Sequence, residues 1–368
     1  MNIKINSRAL AKALSLAIKA IPGKSSLPIL ETFLLESRDN RLTITASDSS
    51  VTIVCATDAE CEGRMAVMAR DFLNIVKVCP DIDITITTED KEAVIDWGFG
   101  NSVIPTFPVE DYPVVAIPGA ENSLIVIPQK VLRAAFDHTL PCVEKDDKLR
   151  PALTGILLDA QANKTNFVAT DAKIMSVYPI PVGCSDPRQI IIPSSAAATI
   201  NSALNKEGDV AILADEKNIA FCFGDVTISC RTLEGKFPKY SAVIPTGNAN
   251  VAIANKAVLM ESVNRVSTCA NKSTGAIRLT ISQEIFKAEA QDFGFALAAT
   301  ETVPGVRYEG TPISIGFKSE VLMKALGIIG SKDVIVKLAD ERRAALLIPQ
   351  DAEADPCTLL LMPILIGK

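Results

Sequence analysis

One pattern occurs three times along the chain, as MNIKINSRALAKALSLAI (residues 1–18), SLIVIPQKVLRAAFDHTL (residues 123–140) and ANVAIANKAVLMESVNRV (residues 249–266). Each copy begins with alternating apolar and polar residues, which predict a short strand, and continues through a turn into an amphipathic helix. The equivalent residues in the three copies are Ile5, Ile127 and Ile253. They follow one another at steps of 122 and 126 residues. This spacing indicates an internal repeat that is too long for a solenoid.

A second pattern keeps nearly the same period and lies in the middle of each copy. It reads AVMARDFLNIVKV (66–78), IIIPSSAAATINSAL (190–204) and SIGFKSEVLMKALGI (314–328). Between the two patterns lie stretches rich in Val, Ile and Thr with period-two alternation, which predict about eight strands in each copy. The sequence therefore predicts an α+β fold of three repeated domains, each with two helices, at residues 1–122, 123–248 and 249–368.

The composition narrows the class of protein. The 368 residues are 48% hydrophobic and 22% charged, which excludes a disordered chain. Apolar runs reach about ten residues, short of the ~20 that a membrane helix needs, and the N-terminus lacks the pattern of a secretory signal. Nine cysteines without a C-x-x-C spacing indicate free thiols in a reducing cytoplasm. We therefore expect a cytoplasmic protein with no metal, no cofactor and no membrane partner.

Residues for catalysis are scarce. The only histidine, His138, lies beside Asp137 on a predicted helix, where we expect a surface histidine instead of a member of a Ser-His-Asp triad. No glycine-rich phosphate-binding fingerprint occurs. Asp48 and Asp171 each follow a strand in a Ser-Asp or Thr-Asp turn, a position where a carboxylate caps the turn. These observations predict a protein that is not an enzyme.

Positive charge is concentrated on the predicted helices, although the whole chain has a formal charge of −6. We take these helices as residues 7–20, 70–79, 128–140, 193–206, 254–272 and 317–330. Their basic residues are Arg8, Lys12, Lys19, Arg70, Lys77, Lys130, Arg133, Lys206, Lys256, Arg265, Lys272, Lys318 and Lys324. Their acidic residues are Asp71, Asp137, Glu261 and Glu320. The helices therefore carry +9 and the rest of the chain −15.

Two interpretations of this charge are open. On a helical projection Arg8, Lys12 and Lys19 fall within about 40° of one another, opposite Leu10 and Leu14. The basic residues could simply mark the solvated face of each helix. Alternatively, they form a common basic surface for a phosphate backbone, which such a surface binds without reading its sequence. A bias of one sign on six helices of an acidic chain favours the second interpretation.

Several motifs resemble those of a known family. They are SSLPILETFLLE (25–36), LTITASD (42–48), RPALTGILLD (150–159), FVATD (167–171), RTLEGKFPKYSAVIP (231–245), SIGFKSEVL (314–322) and LLMPI (360–364). In order and spacing they resemble the bacterial sliding clamps, the beta subunits of DNA polymerase III, over essentially the whole chain. The resemblance implies a DNA clamp fold, with six domains of a homodimer forming a ring. It also implies a non-catalytic DNA polymerase processivity factor that encircles duplex DNA and slides without sequence specificity.

The resemblance, together with the charge pattern, assigns roles to individual residues. The expected DNA-binding residues are Arg8, Lys12, Lys19, Lys24, Arg70, Lys77, Lys130, Arg133, Lys148, Arg150, Lys206 and Arg265. A groove between the second and third domains is expected to bind short peptides of the replicative DNA polymerase, the clamp loader and repair proteins. Its residues are Leu153, Thr170, Ala172, Met175, Pro238, Val243, Val321, Leu361, Met362, Pro363 and Ile364. The expected dimer interface contains Ile104, Thr268 and Cys269.

Departures from the family's pattern concern the groove and the dimer. Lys173, Ile174 and Met175 stand where the family usually has His-Arg-Leu, and the tail lacks the common arginine after Pro363, which predicts a shifted peptide preference. The side chains at 268 and 269 are smaller than usual, which predicts a dimer that dissociates more easily. Two other functions stay open: a clamp paralogue or decoy with altered partner binding, and an unrecognised α/β enzyme.

Overall fold

The computed structural model describes residues 1–39, 41–113, 116–146, 148 and 150–366. Within these residues the chain forms six α-helices and 26 β-strands, with two helices in each repeat and nine, eight and nine strands in the successive repeats. The predicted α+β class and the helix count per repeat are therefore confirmed. None of the helices in the described part of the chain combines the length and the hydropathy that crossing a bilayer requires.

The elements follow nearly the same order in each repeat. The first contains β1 (Asn2–Asn6), α1 (Ser7–Ala17), β2 (Thr32–Arg38), β3 (Arg41–Ser47), β4 (Val51–Asp58), β5 (Glu60–Glu62), β6 (Arg64–Met68), α2 (Ala69–Val78), β7 (Asp83–Glu89), β8 (Glu92–Asp96) and β9 (Asn101–Phe107). The second contains β10 (Ser123–Pro128), α3 (Gln129–Thr139), β11 (Gly155–Ala160), β12 (Thr165–Thr170), β13 (Ile174–Ile180), β14 (Arg188–Pro193), α4 (Ser194–Ala203), β15 (Asp209–Ala214), β16 (Asn218–Phe223) and β17 (Val226–Arg231). The third contains β18 (Asn250–Asn255), α5 (Lys256–Ser267), β19 (Ala276–Ile281), β20 (Phe286–Asp292), β21 (Leu297–Thr302), β22 (Arg307–Glu309), β23 (Ile313–Lys318), α6 (Ser319–Ile328), β24 (Asp333–Leu338), β25 (Ala345–Pro349) and β26 (Thr358–Leu361). Short 3₁₀ turns lie at Ile18–Ala20, Pro28–Glu31, Val109–Asp111, Ala120–Asn122, Leu140–Cys142, Pro151–Thr154 and Tyr240–Ala242.

The helices begin where the sequence predicts but several end earlier. Asn6 caps α1 by accepting hydrogen bonds from the backbone N–H of Arg8 and Ala9. Helix α1 then gives way to a 3₁₀ turn that carries Lys19, and α4 ends before Lys206. Helix α5 also ends before Lys272, and the hydroxyls of Ser267 and Thr268 at its end donate to carbonyl oxygens one turn earlier.

The chain divides into two compact units. The first unit consists of Met1–Arg133 and Ser195–Thr232, and the second of Ala134–Ser194 and Leu233–Lys368. This division passes through the middle repeat. The physical reason is that strands of neighbouring repeats pair with each other and form continuous sheets inside each unit.

The first unit contains one 13-stranded sheet in the order β10-β15-β16-β17-β4-β3-β2-β6-β9-β8-β7-β1-β5. Helices α1 and α2 pack against each other, and α1 also packs on β3 and β4. The core between them contains Leu10, Leu14, Phe33, Ile44 and Phe72, each fully buried. Burying each such side chain contributes about 1.5–3 kcal/mol to the free energy of folding. This core is therefore the main source of stability for the helix pair.

The second unit contains a nine-stranded sheet, β14-β11-β12-β13-β26-β25-β24-β18-β22, and a four-stranded sheet, β21-β20-β19-β23. The ring of Phe136 from α3 meets Phe167 of β12 edge-to-face, with centroids 5.7 Å apart. A buried cluster that includes Leu157, Met175 and Leu360 joins strands of the second and third repeats. Helices α5 and α6 pack against each other in this unit.

The two predicted capping aspartates are confirmed. Asp48 Oδ1 accepts hydrogen bonds from the N–H groups of Ser50 and Val51 at 2.8 and 2.7 Å. In the equivalent turn Asp171 Oδ1 accepts from Lys173 and Ile174, both at 2.9 Å. Asp48 therefore shapes the hairpin between β3 and β4, and Asp171 shapes the equivalent hairpin between β12 and β13.

Equivalent strands of the repeats form equivalent junctions. In the first unit β17 of the second repeat pairs antiparallel with β4 of the first, so that Val226 lies opposite Cys55. In the second unit β26 of the third repeat pairs antiparallel with β13 of the second, so that Leu361 lies opposite Ile174. The last strand of a repeat thus joins the strand that follows the capped turn of the repeat before it.

This rule leaves two strand edges open. The strand equivalent to β4 and β13 is β21, which pairs only with β20 among the described residues. The strand equivalent to β17 and β26 is β9, whose residues Asn101–Pro105 pair with β8 alone, while Thr106 and Phe107 pair with β6. Each open edge presents backbone N–H and C=O groups that a further strand could bind.

Candidate functional site

The basic residues of the first two helices lie on the faces opposite the core. Helix α1 buries Leu10 and Leu14 and exposes Arg8 and Lys12. Helix α2 buries its apolar face in the same way and exposes Arg70 and Lys77. Of the predicted DNA-binding residues only Arg133 is half-buried, and the other eleven are exposed.

The structure brings two of these residues together from different repeats within the first unit. Lys19 Nζ donates hydrogen bonds to the carbonyl oxygen and hydroxyl of Ser202, at 2.8 and 3.1 Å. The guanidinium of Arg133 donates to the carbonyl oxygen of Leu204, at the end of the same helix. Burial lowers the pKa of Lys19, and the nearby positive charge of Arg133 lowers it further. The end of α4 therefore gathers two cations, one from the 3₁₀ turn after α1 and one from α3.

A cleft of about 670 Å³ lies beside this pair in the first unit, and Lys12 and Lys19 are among its lining residues. Asp225 also lines the cleft and is held by Arg41 in an ion pair of 2.7 Å. The Arg41 guanidinium lowers the pKa of Asp225, and Lys12 contributes to the same shift. The carboxylate of Asp225 therefore reduces the positive charge of the basic surface at this cleft.

Arg265 on α5 differs from the other predicted DNA-binding residues because its charge is already paired. Its guanidinium donates to both carboxylate oxygens of Glu301, at 2.9 and 2.7 Å, and lies 3.7 Å from Glu261. Hydrogen bonds from Arg265 and Ser262 lower the pKa of Glu301 to about 2. The pair is exposed, so water and salt screen it, but it leaves Arg265 less free for an external phosphate.

The predicted groove residues all belong to the second unit. Four of them form a buried floor, namely Leu153, Met175, Val321 and Leu361. Thr170, Pro363 and Ile364 are half-buried, and the exposed rim consists of Ala172, Pro238, Val243 and Met362. Val243 is 58% exposed and Met362 45% exposed, so both rim side chains present apolar surface to solvent.

The rim is held by the junction between β13 and β26. The N–H of Met362 donates to the carbonyl oxygen of Lys173 at 2.9 Å, which continues the strand pairing past Leu361. Ala172 has a positive φ of 68°, an uncommon conformation for a residue with a Cβ, and this conformation is part of the turn capped by Asp171. Asp171 also lies 3.6 Å from Lys324 of α6. Residues of both repeats therefore converge at one edge of the unit.

Three family models match nearly the whole chain. They describe the N-terminal, central and C-terminal domains of the DNA polymerase III beta subunit, at residues 1–116, 126–239 and 241–365. The chain belongs to the DNA polymerase III beta-subunit family. The resemblance noted in the sequence is confirmed, and so is the prediction of a non-catalytic processivity factor of the sliding-clamp family.

Individual relatives agree with this assignment. The beta sliding clamp of Pseudomonas aeruginosa is 28% identical over 372 residues, covering 99% of this chain and all of the relative. That of Streptomyces coelicolor is 28% identical over 379 residues, with 99% of each chain covered. A crystal structure of the Pseudomonas aeruginosa clamp bound to griselimycin matches with a TM-score of 0.92 at 28% identity, over the full length of both chains. The beta subunit from Streptococcus pyogenes, at 23% identity and a TM-score of 0.93, shares the clamp fold.

Sequence reasoning missed exposed apolar side chains next to the predicted dimer residues. Ile104 is only 6% exposed, whereas its neighbour Val103 on β9 is 51% exposed. In the third repeat Phe293 and Phe295, in the turn between β20 and β21, are 84% and 70% exposed, and Leu297 at the start of β21 is 43% exposed. Two phenylalanines in the short sequence DFGFAL were a signal, because aromatic residues are uncommon in solvent-exposed turns.

The expectation for His138 was wrong, because its side chain is only 13% exposed. The end of α3 is covered by the segment before β26, and Asp355 of that segment lies 3.0 Å from His138 Nε2. Burial by itself lowers the pKa of His138, but the Asp355 carboxylate and the Ala134 carbonyl raise it overall. A contact between residues so distant in the sequence leaves no trace in helical periodicity.

The proximity of Lys19 and Arg133 can be tested by titration. We expect Lys19 to titrate below its ordinary value of 10.5, and Arg133→Gln to raise its pKa part of the way, since burial still acts in the variant. Arg70→Gln serves as the matched control and should leave the pKa of Lys19 unchanged. NMR of protein labelled with ¹³C at lysine Cε, assigned with Lys19→Arg, provides the measurement. An unchanged Lys19 pKa in Arg133→Gln would contradict the proximity.

Proposed function

We propose that two copies of this chain form a closed ring around duplex DNA and tether replication and repair enzymes to it through the groove of the second unit. The observation that supports this most directly is the pair of open strand edges. Two junctions within the chain use the same antiparallel pairing, and β9 and β21 are the strands left over from that pattern. A second copy supplies the missing partner for each edge.

The open edges fit a head-to-tail dimer. Transferring the pairing of β17 with β4 onto the leftover strands places Val103 and Ile104 of one copy beside the start of β21 of the other. The turn before β21 offers Phe293 and Phe295, and β21 begins with Leu297, so apolar surface accompanies the backbone hydrogen bonds. Thr268 and Cys269, at the end of α5, would lie at the margin of this contact. Such an interface occurs twice in a two-fold ring, which closes the assembly.

The basic helix faces suit a ring that must slide. Exposed cations such as Arg8, Lys12 and Arg70 attract phosphates at long range, while water and salt screen each contact. Because these residues contact no base edges, the attraction has no preferred register. The −15 charge on the rest of the chain would disfavour DNA on other surfaces. Retention then comes from ring closure and not from tight binding.

The groove suits short peptides with a few apolar anchors. Its buried floor is preformed, and Met362 and Val243 on the rim expose apolar surface to a ligand. The flexible thioether of Met362 allows anchors of different shapes to fit. We also propose that the domains of the ring are residues 1–122, 123–248 and 249–368, and that the protein acts in the cytoplasm, where replication machinery and free thiols both belong.

The proposed dimer contact predicts that a single substitution in β21 weakens dimer association. Leu297→Asp should raise the dimer dissociation constant at least about tenfold, because a charge would be buried against the partner's β9. Val126→Asp is the matched control, since Val126 is 54% exposed on β10, outside the proposed contact. Sedimentation velocity over a dilution series measures both.

We expect the unsubstituted dimer to dissociate on dilution more readily than a typical clamp, because Thr268 and Cys269 bury little apolar area. Only dimer down to low nanomolar concentration would contradict this weaker association. Equal dissociation constants for Leu297→Asp and the unsubstituted protein would contradict the proposed edge.

The basic surface predicts a loss of retention on circular DNA. Replacing Arg8, Lys12 and Lys19 together by Glu should shorten retention after loading by a clamp loader, with the largest loss at low salt. The matched control replaces Lys164, Lys217 and Lys239, exposed residues outside the helices, with the same change in charge. Gel filtration of loaded nicked plasmid measures retention, and sedimentation confirms that each variant is still a dimer. Equal retention of both variants at low salt would exclude the helix surface as the DNA lining.

The groove predicts a loss of peptide affinity without loss of the ring. Met362→Asp should weaken binding of a consensus clamp-binding peptide at least about tenfold, because an apolar anchor would face a carboxylate. Leu365→Asp is the control, since Leu365 is 72% exposed and lies beyond the groove residues. Calorimetry provides the dissociation constants. Unchanged affinity in Met362→Asp would remove this groove from the mechanism.

A further inference from the structure

A buried cluster of metal-ligating side chains lies in the second unit and includes none of the residues proposed to contact DNA or peptide. His138 Nε2, a carboxylate oxygen of Asp355 and Cys357 Sγ all lie within 4.8 Å of one another. The side chains of His138 and Asp355 are 13% and 10% exposed, and Cys357 is fully buried. Imidazole nitrogen, carboxylate oxygen and thiolate sulfur are the three donor types that zinc uses in proteins.

The hydrogen bonding of His138 directs a lone pair into this cluster. Its Nδ1 lies 2.7 Å from the carbonyl oxygen of Ala134, which can only accept a hydrogen bond, so the Nδ1 proton is engaged there. When the ring is neutral, it therefore presents a lone pair at Nε2 toward the carboxylate of Asp355. Two acceptors facing each other in a buried place require either a proton or a cation between them.

The geometry has room for a cation. Nε2 and Asp355 Oδ1 are 3.0 Å apart, and Nε2 is buried. Two ligands about 2.0–2.1 Å from a tetrahedral zinc ion lie about 3.3–3.4 Å apart. A shift of about 0.3–0.4 Å would therefore give the two atoms the separation of ligands that share a zinc ion.

The second shell is also in place. The Ala134 carbonyl orients the ring of His138, as metal-bound histidines require. The carboxylate of Asp355 accepts hydrogen bonds from the N–H groups of Gly330 and Cys357, at 2.8 and 3.3 Å. Cys142 is fully buried four residues after His138, with its sulfur 3.9 Å from the His138 carbonyl oxygen, and is the candidate for a fourth ligand.

We propose that His138, Asp355 and Cys357 form a structural site for a zinc-like divalent cation, with Cys142 completing it. The ion would tie the end of α3 to the segment that leads into β26, and so brace the junction that carries the peptide groove. This differs from the expectation of no metal, which rested on the absence of C-x-x-C spacing. His138 and Asp355 lie 217 positions apart in the sequence, and the proposed ligands match no zinc motif.

The test uses the full-length protein, purified with a phosphine reductant, freed of metal by a chelator and dialysed against Zn²⁺ or Co²⁺. We expect one zinc per chain by elemental analysis and a rise of about 5–10 °C in the unfolding temperature at saturating zinc. The Co²⁺ form should show a thiolate-to-cobalt charge-transfer band together with tetrahedral ligand-field bands. This spectrum reports sulfur ligation without any substitution.

Variants assign the ligands. Cys357→Ser and His138→Gln should each lose the charge-transfer band or weaken metal binding at least about tenfold. Cys230→Ser, a buried thiol outside the cluster, is the matched control and should retain stoichiometry and spectrum. The proposal is overturned if no metal remains after dialysis, if the cobalt form lacks the charge-transfer band, or if Cys357→Ser keeps the full spectrum. A Cys142–Cys357 disulfide in the purified protein, or a proton alone shared by His138 and Asp355, would overturn it equally.

Discussion

Antiparallel pairing between strands of neighbouring repeats is the interaction on which the rest of the structure depends. Without a partner, each repeat would expose a row of backbone N–H and C=O groups along its edge strands. The pairing of β17 with β4 and of β26 with β13 satisfies these groups and positions the segments that follow. The rim of the groove is one result, because Met362 is placed by the hydrogen bond that extends the β13–β26 junction. The same requirement is left unmet at β9 and β21, the two edges that the proposed dimer would pair.

The distribution of charged residues over the surface, and not the net charge of the chain, determines where this molecule attracts a polyanion. An acidic chain carries cations on the exposed faces of its helices, but these cations are not equivalent. Arg8 and Lys12 lie in open solvent, Lys19 and Arg133 are partly engaged by carbonyl oxygens, and Arg265 is paired with Glu301. A surface that combines free and engaged charges attracts a polyanion weakly at many points, which is compatible with the proposed sliding along DNA.

Much of the fold could be predicted from the sequence because it depends on local periodicity. Apolar spacing located all six helices, and the Ser-Asp and Thr-Asp turns were read correctly because a carboxylate caps its own neighbours. Features that depend on contacts between distant residues could not be predicted. Helical periodicity cannot predict that Asp355 contacts His138 and shields it from solvent, or that Glu301 forms an ion pair with Arg265. The exposure of Phe293 and Val103 likewise follows from which strand edge is left without a partner.

The open edges also make the separated monomer the vulnerable form of this protein. An exposed β-edge pairs with any strand that reaches it, so a chain waiting for its partner risks joining the wrong molecule and aggregating. The sequence limits this risk locally: Pro105 removes one backbone donor from β9, Ala296 enters β21 with a positive φ of 54°, and Glu301 carries a charge on β21. Each of these features restricts which strand can align with the edge. Correct assembly therefore protects solubility as well as function, and cells that keep the monomer scarce avoid its misassociation.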